Sequence, residues 1–250
     1  MSGTTPGASE RSLADRRPAI ALFFSHGVGL ETWESAGILD REAGYYRALS
    51  EHVGPVTFVT YDRGGAEFNR RATTASPHRV LHNDTMLPYR LFSLIAPFRH
   101  IRSLRRVDIL KTNQFSGAWT AVIARWLTRK PLVVRGGFVR SLTLERQAGV
   151  SRWKAALGGY LEKRSVKAAQ LVIAPTPAAK DYIIERHGIA PDKVAIVENP
   201  IDTEMFAPDS NARETIGRVV TVGRLAPEKN IDMLIEAISR VDGASLIAIG

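Results

Sequence analysis

Two cations, Arg224 and Lys229, bracket a short loop that follows an apolar β-branched run, Val219 to Val222, ending in Gly223. Pro227, Glu228 and Asn230 lie in that loop, and Ile231, Leu234, Ile235 and Ile238 then recur at helical spacing. The pattern predicts a strand, a tight turn and a helix N-terminus. Unpaired backbone N–H groups and the helix dipole already make such a point electropositive. Two further cations are unfavourable there unless an anion sits among them, and Glu228 offsets only part of their charge. The chemistry implied is the holding of a phosphate or diphosphate. Two solvated surface cations are the alternative, and the position at the carboxyl end of a βα turn favours the anion site.

Other candidates stand at the ends of earlier apolar runs. His26, Gly27, Val28 and Gly29 follow Ala19 to Ser25. Gly27 and Gly29 would let backbone amides approach a diphosphate, or they belong to an ordinary βα turn. His26 reads as a satisfied strand-end histidine rather than a base. Asn113 and Gln114 follow the run Asp108 to Thr112 and would face a crevice above a parallel sheet, where they could hydrogen-bond an acceptor sugar. Asn113 alternatively caps the next helix. Trp33 stacks on a sugar or packs internally, with packing favoured. Glu31 and Glu34 are acid–base candidates with no visible partner and read as solvated.

The elements that must position these residues alternate. Strands are expected at Ala19–Ser25, Val56–Tyr61, His78–Leu81, Asp108–Thr112, Pro131–Val134, Leu171–Ala174 and Val194–Val197. Helices are expected around Leu39–Glu51, Gln114–Leu127, Ser151–Ala169 and Pro177–His187. The strand runs are too continuously apolar for a half-exposed sheet, so the fold class is α/β with parallel strands covered on both faces. Between Asp84 and Asp108 there is no acidic residue but five arginines, Arg90, Arg99, Arg102, Arg105 and Arg106. Pro88 to Arg106 therefore reads as a basic amphipathic helix, interrupted or kinked at Pro97. It lies on an anionic membrane surface or packs on the core with a solvated basic face.

Composition sets wider bounds. The 250 residues are 44% hydrophobic and 24% charged, ordinary for a globular chain, and can bury one large core or two smaller ones. The absence of cysteine removes disulfides, a thiolate nucleophile and cysteine metal ligands. A net charge of +9 suits an anionic partner: nucleic acid, a phosphorylated ligand or an acidic membrane. Residues 1–18 read as a disordered polar tail without a signal peptide's apolar core, and Leu91–Phe98 is too short to span a bilayer. A cytoplasmic chain is expected. Asn199 to Asn211, with two prolines and no strand pattern, marks a boundary. The forty or so residues beyond it cannot bury both faces of their own sheet, so the chain is expected to stop inside a second domain.

At this point the residues resemble a family. VGRLAPEKNIDMLIEA resembles the start of the carboxy-terminal domain of retaining GT-B glycosyltransferases of family 4. VAIVENPIDTEMFAP is similar to that family's interdomain stretch, and IAPTPAAKDYIIERHGIAPDKV to the strand and helix leading into it. The resemblance implies a GT-B fold of two Rossmann-like domains: residues 19–200 for the acceptor, a linker 201–217, and an incomplete donor domain 218–250. It implies that Arg224 and Lys229 contact the donor's diphosphate, with Gly27, Gly29, Asn199 and Gly223 near it. Asn113 and Gln114 would meet the acceptor. No cofactor or metal is expected, because cations and a helix N-terminus neutralise the leaving diphosphate. The partners implied are a nucleotide-diphospho-sugar, a glycan or lipid-linked acceptor and an anionic membrane surface at which the chain is peripheral, but no nucleic acid. The activity implied is sugar transfer with retention, in envelope or exopolysaccharide synthesis. A non-catalytic α/β module binding a phosphorylated ligand or nucleic acid is the alternative.

Three departures stand out. The family's paired glutamates, Glu-x7-Glu, would lie beyond Gly250. Arg135 takes the place where the family often has a histidine reaching toward the sugar; it is the catalytic candidate, through donation to a hydroxyl or phosphate. Pro200 stands where glycine is usual, which implies a stiffer hinge.

Overall fold

The computed structural model describes residues 16–75, 78–136, 151–201, 203, 206–209, 213–223 and 225–250. They form two units, divided between Asn199 and Pro200.

In the first unit a strand β1 (Ile20–Phe23) is followed by helices α1 (Leu30–Ser35) and α2 (Leu39–His52), then β2 (Val56–Arg63), α3 (Ala66–Thr74) and β3 (Arg79–Asn83). Next come α4 (Tyr89–Arg99), α5 (Ile101–Leu104), β4 (Ile109–Thr112), α6 (Ala118–Thr128) and β5 (Leu132–Arg135). Helix α7 (Arg152–Ala168), β6 (Leu171–Ala174), α8 (Pro177–His187) and β7 (Val194–Ile196) complete it. All seven strands are parallel, in the order β3-β2-β1-β4-β5-β6-β7. The α/β class with a parallel sheet is therefore as the sequence predicts.

Period-two alternation sends side chains to two cores. Leu22, Phe24, Val56 and Phe58 face α1, α2 and α3, meeting Leu30, Trp33, Leu39, Tyr46 and Phe68. Ala21, Phe23, Leu110, Leu132, Val134 and Val172 face the other way, toward Leu104, Ala121, Val166 and Ile183 on the later helices. The first two crossovers thus lie on one face and the later ones on the other, which is double winding. Trp33 is packed, stacked on Phe24 with ring centroids 4.2 Å apart.

Several expected boundaries shift for local reasons. The third strand runs Arg79–Asn83 rather than His78–Leu81. The helix expected from Gln114 begins at Ala118, because Gly117 sits in the left-handed region at φ +86° and ends a turn that a right-handed helix cannot include. The basic stretch Pro88–Arg106 is two helices, breaking at His100. Pro97 lies inside α4, where its missing N–H frees the Ser93 carbonyl. Thr120 Oγ1 donates to that carbonyl at 2.9 Å, so the defect is repaired by α6. Arg16 to Pro18, expected in the tail, are tied down: Arg16 pairs with Asp108 at 3.4 Å and the Pro18 carbonyl accepts from Gly54 N at 2.9 Å. The remainder of that tail lies outside the described residues.

Helices α1 and α3 were not anticipated. Asp62, at the end of β2, accepts from Leu30 N at 2.8 Å and Glu31 N at 3.1 Å, capping α1 from another strand. Glu34 is not a free solvated carboxylate: it takes Arg70 at 2.5 Å and Arg71 at 2.7 Å, joining α1 to α3, and these bonds hold its carboxyl below the usual range.

The second unit contains β8 (Arg218–Val222), a 3-10 turn at Pro227–Lys229, α9 (Ile231–Ile238) and β9 (Ser245–Ile249), with β8 and β9 parallel. Val220, Val222, Met233, Ile235 and Ile249 are exposed on it.

Replacing the remote cap tests this account of α1. Asp62→Ala should lower the unfolding free energy by about 1–2 kcal/mol, read by urea denaturation, because two helix N–H groups lose their acceptor.

Candidate functional site

The carboxyl edge of a parallel sheet gathers the loops after its strands, and the strand order here reverses between β1 and β4. The loops after these two strands are laced together. Asn113 N donates to Phe23 O at 2.8 Å and His26 N to Ser116 O at 3.1 Å. A Cβ on Gly117 would lie 2.7 Å from the His26 nitrogen, so glycine is required at that crossing. The His26 ring lies among Trp119, Tyr89 and Tyr61, with centroids at 4.6, 5.0 and 5.8 Å. Burial pushes the Tyr61 hydroxyl up to about 12, and that hydroxyl bonds Thr120 at 3.1 Å.

The expected glycines sit at this edge, but the protein itself fills the space they leave. Gly27, at φ +75°, would place a Cβ 2.9 Å from the Tyr89 ring. A Cβ on Gly29 would fall 2.3 Å from the Asp62 carboxylate. Gly29 N bonds Thr32 Oγ1 at 3.3 Å, and the next two amides bond Asp62. The close approach at Gly29 is thus to a carboxylate of the fold itself.

Asn113 and Arg135 lie on one face of the sheet at this edge, since Leu110 and Val134, out of phase with them, point into the opposite core. Asn113 is buried, and its Oδ1 accepts a long bond of 3.4 Å from the Tyr46 hydroxyl. It does not cap α6, which has no side-chain cap. Gln114 stays in the loop, half-buried. Arg135 N bonds Thr112 Oγ1 at 3.1 Å, and its guanidinium donates to Asn199 Oδ1 at 2.6 Å. Arg135 and Asn199, expected in separate roles, are therefore brought together.

Lys111 was not among the expected residues. Its Nζ donates to the Tyr46 hydroxyl at 3.4 Å and lies 5.4 Å from the centre of that ring. Burial, then the charge of Arg135, push its amine down to about 8, against a smaller pull from Glu42. Burial raises the Tyr46 hydroxyl as well. A lysine inside the run DILKT looks solvated in the sequence, and only the packing of α2 over β4 reveals it. The cluster of Lys111, Arg135, Asn113, Asn199 and Tyr46 offers donors and positive charge to an oxygen-rich ligand.

In the second unit Gly223 follows β8 with its N–H on Ile249 O at 2.8 Å, and a Cβ on it would lie 3.8 Å from Lys229 Cε. Lys229 is exposed, with the left-handed Asn230 at φ +50° between it and α9. Gly223 and Lys229 thus share one βα turn. Arg224 lies outside the described residues.

A model of Glycosyltransferase Family 4 matches residues 45–205. The chain belongs to that family. A D-inositol 3-phosphate glycosyltransferase of Mycobacteroides abscessus is 28% identical over 144 residues, 53% of this chain and 32% of that protein. Its counterpart in Kribbella flavida is 33% identical over 88 residues, 32% of this chain and 21% of that one. Among solved structures, Anabaena HepE in complex with UDP superposes with a TM-score of 0.62 at 18% identity, over 92% of this chain and 60% of that one. Sucrose-phosphate synthase of Thermosynechococcus elongatus gives 0.65 at 15% identity, over 94% of this chain and 62% of that one. At such identities the likeness speaks for the fold, which is that of GT-B family 4 glycosyltransferases. This chain spans about three fifths of the solved relatives, and its matches span a third or less of the curated ones.

The buried amine gives a pH test with a definite sign. Its folded value of about 8 is below the unfolded value of about 10.4, so charging it opposes folding below pH 8 and ceases to matter above pH 10. Lys111→Met should therefore be more stable than the parent at pH 7, by up to about 3 kcal/mol. The advantage should shrink as pH rises from 8 toward 10. Denaturation midpoints across that range check it, and a pH-independent difference would refute the assignment.

Proposed function

We propose that this family 4 chain acts in glycosyl transfer from a nucleotide-diphospho-sugar to an acceptor hydroxyl, with retention. The observation that carries the proposal is the polar cluster at the strand-order reversal of a domain matched to the family, with Arg135 and Asn199 bonded within it. Support for the donor comes from the R-x4-K turn, where Lys229 lies beside Gly223, and from HepE structures that hold UDP and UDP-glucose. The D-inositol 3-phosphate glycosyltransferases support a polyol or sugar acceptor bearing an anion.

In this reading Arg224 and Lys229 neutralise the departing diphosphate together with backbone amides, so no metal is needed. Asn113, Gln114 and Arg135 hold the acceptor so that its oxygen meets the anomeric carbon on the face the diphosphate leaves. The leaving diphosphate takes the acceptor's proton. The new glycosidic bond forms as the carbon–diphosphate bond breaks, and configuration is kept. The acceptor belongs to cell-envelope or exopolysaccharide synthesis.

The test uses the protein with a panel of nucleotide sugars and phosphorylated polyol acceptors. Lys229→Ala should lower turnover by about 10²–10³-fold with an unchanged melting curve, as loss of a leaving-group contact does. Activity should survive chelator, and the product's anomeric coupling should match the donor's. Unchanged turnover in the variant would remove the diphosphate assignment.

A further inference from the structure

Helices α4, α5, α6 and α7 lie on one side of the sheet, with α4 and α5 packed on α6 and α6 on α7. Their outer surface has two properties that a solvated helix layer does not need. The first is charge. Segments 88–106, 118–130 and 151–169 carry five, three and five Lys or Arg residues, thirteen in all, and one carboxylate, Glu162. Glu162 is buried and bonds His187 at 3.0 Å, so these segments turn no carboxylate outward. On the opposite helices α1 to α3, Arg41, Arg70 and Arg71 pair with Glu34, Glu42 and Glu67.

The second property is apolar exposure among those cations. Leu91, Leu94 and Phe98 form a stripe on α4, each about half exposed, while Phe92, Ser93 and Ala96 take the buried side. Trp126 on α6 is 75% exposed, and Trp153, Leu157 and Tyr160 on α7 are also exposed. Two shallow grooves cut the layer. One, of about 580 Å³, is lined by Ile95, Phe98, Arg99, Ile101 and Arg102. The other, of about 530 Å³, is lined by Val122, Arg125, Trp126, Arg129 and Ala168. Each is lined by apolar side chains and two arginines. Arg99 is paired with Asp84 at 2.6 Å and Arg125 donates to Gln170 at 2.6 Å, but Arg102 and Arg129 add positive charge beside apolar surface, which suits an acyl chain below an anionic headgroup. Exposed Trp and Tyr among Lys and Arg are the residues that settle at a bilayer interface.

We propose that the outer layer formed by α4, α5, α6 and α7 docks on an anionic lipid bilayer, with Leu91, Leu94, Phe98 and Trp126 entering the interface and the arginines meeting headgroup phosphates. Nucleic acid would use the cations but gives the aliphatic stripe no role. No helix among the described residues is long and apolar enough to cross a membrane, so the contact is with the surface. Helix α4 starts at the carboxyl edge, where Tyr89 meets His26, so docking brings the crevice mouth beside the lipid. The inference stands on charge and exposure and is independent of the transfer reaction.

The chain is mixed with equimolar phosphatidylglycerol–phosphatidylcholine vesicles, with phosphatidylcholine alone, and with a short single-stranded oligonucleotide. It should pellet with the anionic vesicles, at least about tenfold more tightly than with neutral ones, and be released as salt rises from about 0.05 to about 0.5 M. Tryptophan emission should shift to the blue on binding, because Trp126 and Trp153 are exposed while Trp33 is buried. Arg102→Glu, Arg105→Glu, Arg106→Glu together should abolish pelleting, and Trp126→Ala should remove much of the shift. All four side chains are outward-facing, and circular dichroism confirms the fold. Absence of binding at low salt, equal binding to neutral vesicles, or preference for the oligonucleotide would each overturn the proposal.

Discussion

The site depends on the point at which the seven-stranded sheet reverses its winding. Strand β1 pairs with both β2 and β4, starting from Ile20 on each side. The chain leaving β1 and the chain leaving β4 must therefore pass within backbone contact before turning to opposite faces. The bonds Asn113 N to Phe23 O and His26 N to Ser116 O are the result, and Gly117 is what permits them. Of the polar residues gathered here, Lys111 and Arg135 follow the buried Leu110 and Val134, so their placement is set by the core beneath them. An edge built in this way can hold buried polar groups because the strands cannot shift without exposing Leu110 or Val134.

What the sequence conveyed of this follows from which interactions are local. Continuous β-branched runs announce parallel strands because both their faces are buried, and Thr176, Pro177 and Gly188 mark the ends of α8 by their own chemistry. Helices α1 and α3 are short, and the groups that stabilise them come from elsewhere: Asp62 from β2, Glu34 from one helix to the other. No window of sequence contains both partners. The same holds for the site. Arg135 is visible because it ends a strand and departs from a family pattern, whereas Lys111 acquires its character from Tyr46, 65 residues away.

The glycines teach a related lesson. Glycines after a first strand suggest a backbone open to phosphate, yet at Gly29 the close neighbour is the Asp62 carboxylate and at Gly27 the Tyr89 ring. A carboxylate that already takes two amides of α1 leaves little positive field there for another anion. Positive charge in this domain's edge is supplied by Arg135 and Lys111 on the strands instead. Burial first, and then repulsion from Arg135, depress the amine of Lys111, and an anion placed between the two cations would be bound more strongly than by either alone.

The same economy of charge appears across the sheet. Glu34 and Glu67 hold Arg70, and Glu34 also holds Arg71, so the α1–α3 side is close to internally balanced. On the other side, segments 88–106, 118–130 and 151–169 carry thirteen Lys or Arg residues against the single buried Glu162, with Arg99 paired to Asp84. A domain with one balanced and one unbalanced face has a direction in the field of a negatively charged surface, and it turns before it touches. The carboxyl edge lies between the two faces, so the orientation that brings the basic helices down also sets the edge alongside the surface rather than against it. In the docking proposed above, the crevice would stay open to soluble ligands and within reach of a partner embedded in the surface.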